Sequence, residues 1–141
     1  MPYPFSLTHA AITFATQAHH GQHRKCSMTP YIVHPFEVGQ LLTLAKQKET
    51  VIVAGLLHDT LEDTPTTPET LQERFGLEVL TLVQHASENK SLSWEQRKQN
   101  AIDFLLRDAS YEDLMIACAD RLSNLRAISH DLTAQGDDPA F

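Results

Sequence analysis

The segment VIVAGLL, residues 51–57, carries no polar side chain and runs directly into the charged segment HDTLEDT, residues 58–64. A helix with no polar face must be buried on all sides, so this segment predicts a central helix. Elsewhere apolar residues recur at helical spacing, and strand-like alternation is scarce. A buried helix surrounded by amphipathic helices predicts an all-α fold, a compact bundle of six to seven helices.

Local signals divide the chain into these helices. Ser6 and Ser93 are suited to cap the first helix and a late one. The proline of His34-Pro35 fits the first turn of the second helix, as does that of Thr67-Pro68 in a later one. The third helix is expected to run without interruption to Thr64, and the last from about Tyr111 to Ser129.

Length and charge limit the classes of protein that remain. A chain of 141 residues fits one domain, predicted here over residues 1–130 with a polar tail at 131–141. The net charge of −7 argues against nucleic acid or an anionic membrane as the main partner. Cys26 and Cys118 lie far apart and form no CxxC motif, so free thiols and a cytoplasmic location are expected.

The charged segment after the apolar helix raises an electrostatic problem. In a continuous helix, spacings of three and four residues place His58, Asp59, Glu62 and Asp63 on one side. Neighbouring carboxylates repel, and no lysine or arginine occurs from residue 49 to residue 73. Either a basic residue from another helix or a metal cation must offset this charge.

Two side chains elsewhere are candidates to complete a metal site. His34 opens the second helix, and Asp120 lies within the apolar last helix. With His58 and Asp59 they would supply two imidazoles and two carboxylates, a set that suits Mn²⁺, Fe²⁺, Zn²⁺ or Co²⁺. Taken singly, each of these residues is also compatible with a polar helix face or a helix start.

Six segments in order carry a resemblance to a known family. They read AHHGQHRK, TPYIVHPFEVGQLL, AGLLHDTLEDT, ERFGLEV, SENKSLSWEQRKQ and ADRLSNLRAI, and they extend from residue 18 to residue 128. With these motifs the chain resembles the HD-domain metal-dependent phosphohydrolases. The finer resemblance is to the RelA/SpoT-type alarmone hydrolase domain and its stand-alone form, the small alarmone hydrolases.

The resemblance implies an activity and a role for each matching residue. The family removes pyrophosphate from the 3′ position of ppGpp, usually with Mn²⁺, although another divalent metal is compatible with the ligands. The matching positions are the metal ligands His34, His58, Asp59 and Asp120; Glu62 and Asp63, which position or activate water; Arg24 on the base; Lys25 near phosphate; and Asn124 near the ribose. Tyr31 either approaches the ligand or packs under its loop. The expected partner is therefore a small nucleotide, and a homo-oligomer is a further expectation.

Two alternatives stay open at the level of sequence. The substrate could be an adenosine alarmone such as pppApp or another 3′-phosphorylated nucleotide, because base preference depends on the shape of the site. The domain could also be an inactive nucleotide-binding module. Among the remaining motifs, EQRK at 95–98 is expected to be a solvated helix face, and Trp94 is expected to lie in the core.

Overall fold

The fold is all-α, as predicted. The computed structural model describes residues 6–25 and 27–135, with only the backbone at Gln135. Within these residues there are eight helices and no β-strand, apart from an isolated bridge between His23 and Pro30. The helices are α1 (Leu7–Ala18), α2 (Val33–Leu44), α3 (Glu49–Leu57), α4 (Thr60–Asp63), α5 (Pro68–Phe75), α6 (Leu77–Ala86), α7 (Trp94–Arg107) and α8 (Tyr111–Gln135).

The number of helices exceeds the prediction by one because the third predicted helix is divided. α3 ends at Leu57 and the four-residue α4 begins at Thr60, which leaves His58 and Asp59 in a turn. The capping predictions hold elsewhere, since the side chains of Ser6, Thr67 and Ser93 each accept a hydrogen bond from a backbone amide of the following helix.

α3 is the central helix of the bundle. Six of its nine residues are buried, and it contacts α1, α2, α6 and α8. The prediction of a buried helix at this position is therefore confirmed. The polar residues that follow α3 emerge from the middle of the fold rather than from its surface.

Two glycines allow α2 and α3 to approach closely. A Cβ atom on Gly39 would lie 2.6 Å from Leu56 Cδ2, and one on Gly55 would lie 2.3 Å from Leu42 Cδ1. Both distances are far below van der Waals contact, so a larger residue at either position would force the helices apart. The close approach sets the start of α2 beside the end of α3.

The last helix is longer than predicted. α8 continues to Gln135, six residues beyond the expected end at Ser129 and into the predicted polar tail; the rest of that tail, residues 136–141, and Cys26 lie outside the described residues. The first half of α8 buries Ile116, Ala119 and Ser123. No helix in the described part of the chain is long and apolar enough to cross a membrane.

Candidate metal centre

The turn between α3 and α4 brings two neighbouring side chains together. Adjacent residues in a regular helix point about 100° apart, from its period of 3.6 residues. In the turn, Asp59 adopts φ −94° and ψ −3°, and its Oδ2 lies 3.0 Å from His58 Nε2. The Thr60 hydroxyl donates to the Leu57 carbonyl at 2.7 Å and so satisfies a polar group within the turn. The interruption of the helix therefore lets His58 and Asp59 face one point.

Side chains from two other helices meet this pair. His34 from α2 places its Nε2 3.2 Å from His58 Nε2 and 3.6 Å from Asp59 Oδ2. Asp120 from α8 places Oδ1 3.1 Å from His34 Nε2 and 3.6 Å from His58 Nε2. His34, His58 and Asp120 each offer one potential ligand atom, and these three atoms lie within 4.8 Å of one another. All four residues predicted as metal ligands are thus brought together.

The hydrogen bonds of the two histidines fix the chemistry of this cluster. His58 Nδ1 lies 2.7 Å from the Gly55 carbonyl, which can only accept, so Nδ1 carries a hydrogen. His34 Nδ1 lies 2.9 Å from Ser123 Oγ, whose own hydrogen is donated to Glu37 at 2.7 Å. Two Nε2 lone pairs therefore face each other across 3.2 Å. A proton or a metal ion shared by the two Nε2 atoms would relieve this, and the donor set of two imidazoles and two carboxylates fits a divalent metal.

Without a metal, a proton serves as that cation. Burial opposes a charge on His58, but the carboxylates of Asp59 and Asp120 outweigh it and raise the pKa of His58 well above 6.5. Burial also opposes charge on Asp59, yet the His58 charge and its hydrogen bond lower the Asp59 pKa to about 2. The hydrogen bonds of His34 and His58 likewise overcome burial and hold the pKa of Asp120 well below its usual range.

The two acids of α4 have different surroundings. Glu62 lines a cavity together with His34, His58, Asp59 and Asp120. Burial raises the pKa of Glu62, and the charges of Asp63 and Asp59 add to this, although the backbone amide of Glu88 donates to its carboxylate at 3.1 Å.

Asp63 is not part of the cavity lining and forms an ion pair with Lys90. Arg121 pairs with Asp120 in the same way. Lys90, from the loop between α6 and α7, therefore compensates Asp63, and the adjacent residue Arg121 compensates Asp120. The basic residue expected from another helix comes for Asp63 from a loop instead, and the donor atoms around His34 and His58 are the candidate place for a metal cation.

The cavity has a volume of about 620 Å³ and is lined by α6, α7 and α8 as well as the acidic cluster. Asn124 lines it and accepts a hydrogen bond from Arg24 Nη2 at 3.4 Å. Arg24 lies beside the cavity, with its guanidinium 5.9 Å from the centre of the Tyr31 ring. Lys25 is exposed and, like Arg24, is not among the lining residues.

The Tyr31 hydroxyl donates to Asp59 Oδ2 at 2.5 Å. Of the two interpretations considered for this residue, approach to a ligand or packing under its loop, neither anticipated this contact. Tyr31 also lines the cavity. Its hydroxyl restrains the carboxylate of Asp59, one of the four candidate metal ligands.

Sequence reasoning missed residues on α7. Arg97 and Lys98, expected on a solvated face, line the cavity and bind the Glu88 carboxylate at 3.2 Å and 2.6 Å. The Nε atom of Arg97 is buried without a hydrogen-bond partner. Trp94, expected in the core, is 61% exposed and also lines the cavity. The helical spacing of Trp94, Arg97, Lys98 and Ala101 could have placed them on one face.

Comparison with known proteins agrees with this architecture. The model of the HD domain family matches residues 11–138, so the chain belongs to the HD domain family, as the sequence motifs indicated. It is 36% identical over 121 residues to the guanosine-3′,5′-bis(diphosphate) 3′-pyrophosphohydrolase MESH1 of Danio rerio, covering 84% of this chain and 67% of that protein.

Longer proteins contain a similar region. The chain is 38% identical over 128 residues to a GTP pyrophosphokinase of Myxococcus xanthus, covering 85% of this chain but only 17% of the relative. A solved metazoan ortholog of SpoT, described as hydrolysing ppGpp and acting in starvation responses, superimposes with a TM-score of 0.83 at 32% identity. That superposition covers 92% of this chain and 74% of the solved chain.

Proposed function

We propose that this protein is a metal-dependent 3′-pyrophosphohydrolase of guanosine alarmones, converting ppGpp to GDP and pyrophosphate, and pppGpp to GTP and pyrophosphate. The observation that carries this proposal is the pair of Nε2 atoms of His34 and His58, 3.2 Å apart and beside the carboxylates of Asp59 and Asp120, at the wall of a cavity of about 620 Å³. The similarity to MESH1 and to the ortholog that hydrolyses ppGpp supports the substrate class.

The metal ligands in this proposal are His34, His58, Asp59 and Asp120, with Mn²⁺ as the preferred ion. A divalent metal held by these residues would supply positive charge near the phosphoryl group and make a water molecule easier to deprotonate. The hydroxyl of Tyr31 holds Asp59 in its ligating orientation through the hydrogen bond at 2.5 Å.

Glu62 is the general base in the same proposal. A raised pKa favours proton transfer near neutral pH, because it increases the affinity of the carboxylate for a proton from water. Water adds to the phosphorus that carries the 3′ oxygen while Glu62 takes a proton from it, the bond between that phosphorus and the 3′ oxygen breaks, and the departing oxygen takes up a proton from solvent. The products are pyrophosphate and a nucleoside 5′-diphosphate with a free 3′-hydroxyl. Asp63 assists by fixing α4 through its ion pair with Lys90.

The nucleotide is held by residues on both sides of the cavity. Arg24 and Asn124 contact the nucleoside, and Lys25 contacts a phosphate. Arg97 and Lys98 add positive charge along α7, where their present partner is a single carboxylate, that of Glu88. A protein of net charge −7 needs such local cations to bind a highly anionic substrate.

The experiment is a pyrophosphate-release assay on the purified protein during titration with Mn²⁺. Matched guanosine and adenosine nucleotides with 3′-diphosphates decide the preferred base. Release from ppGpp supports the proposal; absence of release from a protein that has bound the metal contradicts it. Tight binding of ppGpp without turnover at every metal concentration would favour the inactive binding module.

Two variants separate the roles of the acids. Asp59→Ala is expected to abolish Mn²⁺ binding. Glu62→Gln is expected to retain Mn²⁺ but to lose about 10²–10⁴-fold in turnover, the usual contribution of a general base. Glu69→Gln changes an exposed acid on α5 and serves as the matched control. Loss of the metal in the Glu62 variant would show that the division of roles is wrong.

We also propose a cytoplasmic protein that forms a homo-oligomer. The free thiol of Cys118 is compatible with a reducing compartment. On the second half of α8, Leu125 is 64% exposed, Ile128 49% and Leu132 50%, and this apolar surface is suited to a contact between copies. Size-exclusion chromatography with light scattering measures the oligomeric state.

A further inference from the structure

His34 is held by a chain of side chains that connects α2 to α8. Its Nδ1 lies 2.9 Å from Ser123 Oγ, and Ser123 donates to Glu37 Oε2 at 2.7 Å. The other oxygen of Glu37 accepts from Arg126 Nη1 at 3.1 Å. We propose that Ser123 and Glu37 are positioning residues of the metal centre, which fix the tautomer and the orientation of His34. This inference rests on the proposed metal centre.

The direction of each hydrogen bond follows from the groups involved. Ser123 Oγ donates its single hydroxyl hydrogen to the Glu37 carboxylate, which also pairs with Arg126. Ser123 then offers His34 a lone pair, and His34 Nδ1 must carry the hydrogen. The Nε2 atom is consequently left with its lone pair directed at the carboxylates of Asp59 and Asp120. Glu37 thus selects the tautomer of His34 through two consecutive hydrogen bonds, with Ser123 between them.

Burial makes this selection depend on the protein rather than on solvent. Ser123 is 1% exposed and His34 is 3% exposed. Removal of the hydroxyl would leave the buried Nδ1 donor of His34 without an acceptor, which is costly, whereas Glu37 would keep its ion pair with Arg126. His58 differs, because its Nδ1 is fixed by the backbone carbonyl of Gly55. Of the two candidate histidine ligands, His34 is therefore the one whose Nδ1 is held by a side chain.

The same contacts also tie two ligand-bearing helices together. Glu37 lies one turn after His34 on α2, and Ser123 lies one turn after Asp120 on α8. The hydrogen bond between Ser123 and Glu37 therefore helps to hold the 3.1 Å separation of His34 Nε2 and Asp120 Oδ1. Partners of this kind typically account for about 10–100-fold in metal affinity.

The test measures the binding of Mn²⁺ alone, by the electron paramagnetic resonance signal of the free ion, without nucleotide. Ser123→Ala and Glu37→Ala are each expected to weaken Mn²⁺ binding by about 10–100-fold. Turnover of both variants is expected to recover at saturating Mn²⁺, because no group that touches the substrate has changed. Ser129→Ala on α8 and Gln40→Ala on α2 alter exposed residues of the same helices and should bind Mn²⁺ like the parent.

A spectroscopic readout distinguishes positioning from general stability. In ¹⁵N nuclear magnetic resonance spectra of the metal-free parent protein, the His34 ring should carry its hydrogen at Nδ1. In Glu37→Ala, the fraction of His34 that carries the hydrogen at Nε2 should increase. If Ser123→Ala fails to fold, as judged by circular dichroism, Glu37→Ala decides the question through the same two measurements.

Folded variants that bind Mn²⁺ within twofold of the parent would overturn the assignment to Ser123 and Glu37. That outcome differs from a parent protein that binds no Mn²⁺ at all, which would contradict the proposed function itself. Weakened binding with an altered tautomer ratio supports the inference.

Discussion

Loading the metal centre should release a proton from His58. Burial lowers the pKa of this histidine, but the charges of Asp59 and Asp120 raise it by a larger amount. The resulting pKa lies well above 6.5. The metal needs the same Nε2 lone pair that holds the proton in the metal-free protein. Metal and proton therefore compete for one atom at every pH below the raised pKa of His58.

The magnitude follows from this competition. Below the raised pKa of His58, each pH unit should strengthen Mn²⁺ binding about tenfold, which corresponds to roughly 1.4 kcal/mol. Titration calorimetry between pH 6 and pH 8, in buffers with different enthalpies of ionisation, measures both the affinity and the number of protons released. His130→Gln alters an exposed histidine and should leave the slope unchanged. Affinity that does not vary with pH, without any buffer-dependent heat, would refute the reasoning.

The same pKa shifts determine the stability of the metal-free protein. Because the folded pKa of His58 is raised, its contribution to the free energy of unfolding is fully present below about pH 6.5 and is lost as pH rises through the folded value. Asp59 acts in the opposite sense: its contribution is present above its unfolded pKa of 3.8 and is lost as pH falls toward 2. Urea denaturation in the presence of a chelator should therefore show a decline at alkaline pH that added Mn²⁺ reduces.

Two further predictions concern the packing that supports the site. Gly55→Ala places a Cβ atom 2.3 Å from Leu42 Cδ1 and should destabilise the fold by about 1–3 kcal/mol, as overpacked cores do; an unchanged urea midpoint would contradict the close approach of α2 and α3. Leu57→Ala removes a side chain with no exposed surface and should cost about 2–5 kcal/mol. Leu106→Ala, at a residue that is 78% exposed, is the control and should change the midpoint little.

Much of the helical framework was predictable from local patterns. The caps at Ser6, Thr67 and Ser93 are present as expected, since a side chain next to a helix start satisfies amides only three residues away. Gly76 separates α5 from α6 at φ +87°, a backbone conformation that favours glycine. The ligand candidates were also recognisable, because their residue types and order form a specific motif.

Other features depended on contacts between distant parts of the chain. The turn at His58 and Asp59 interrupts a segment whose composition favours a continuous helix. The other two candidate ligands come from α2 and α8. The exposure of Trp94 reflects how α7 packs, since none of the described residues of that helix is buried. Apolar spacing predicted a buried face but carried no information about which helix would cover it.

By itself, the sequence determined the helical class, the central position of α3 and the set of residues able to hold a metal. Tertiary structure alone decided the hydrogen-bond partner of each histidine Nδ1, which is Ser123, 89 residues along the chain, for His34 and the Gly55 carbonyl for His58. It also decided that Arg97 and Lys98 face the cavity and that Asp63 pairs with Lys90. Helix propensity and capping act over a few residues, whereas the geometry of a site depends on side chains that only folding brings within hydrogen-bonding distance.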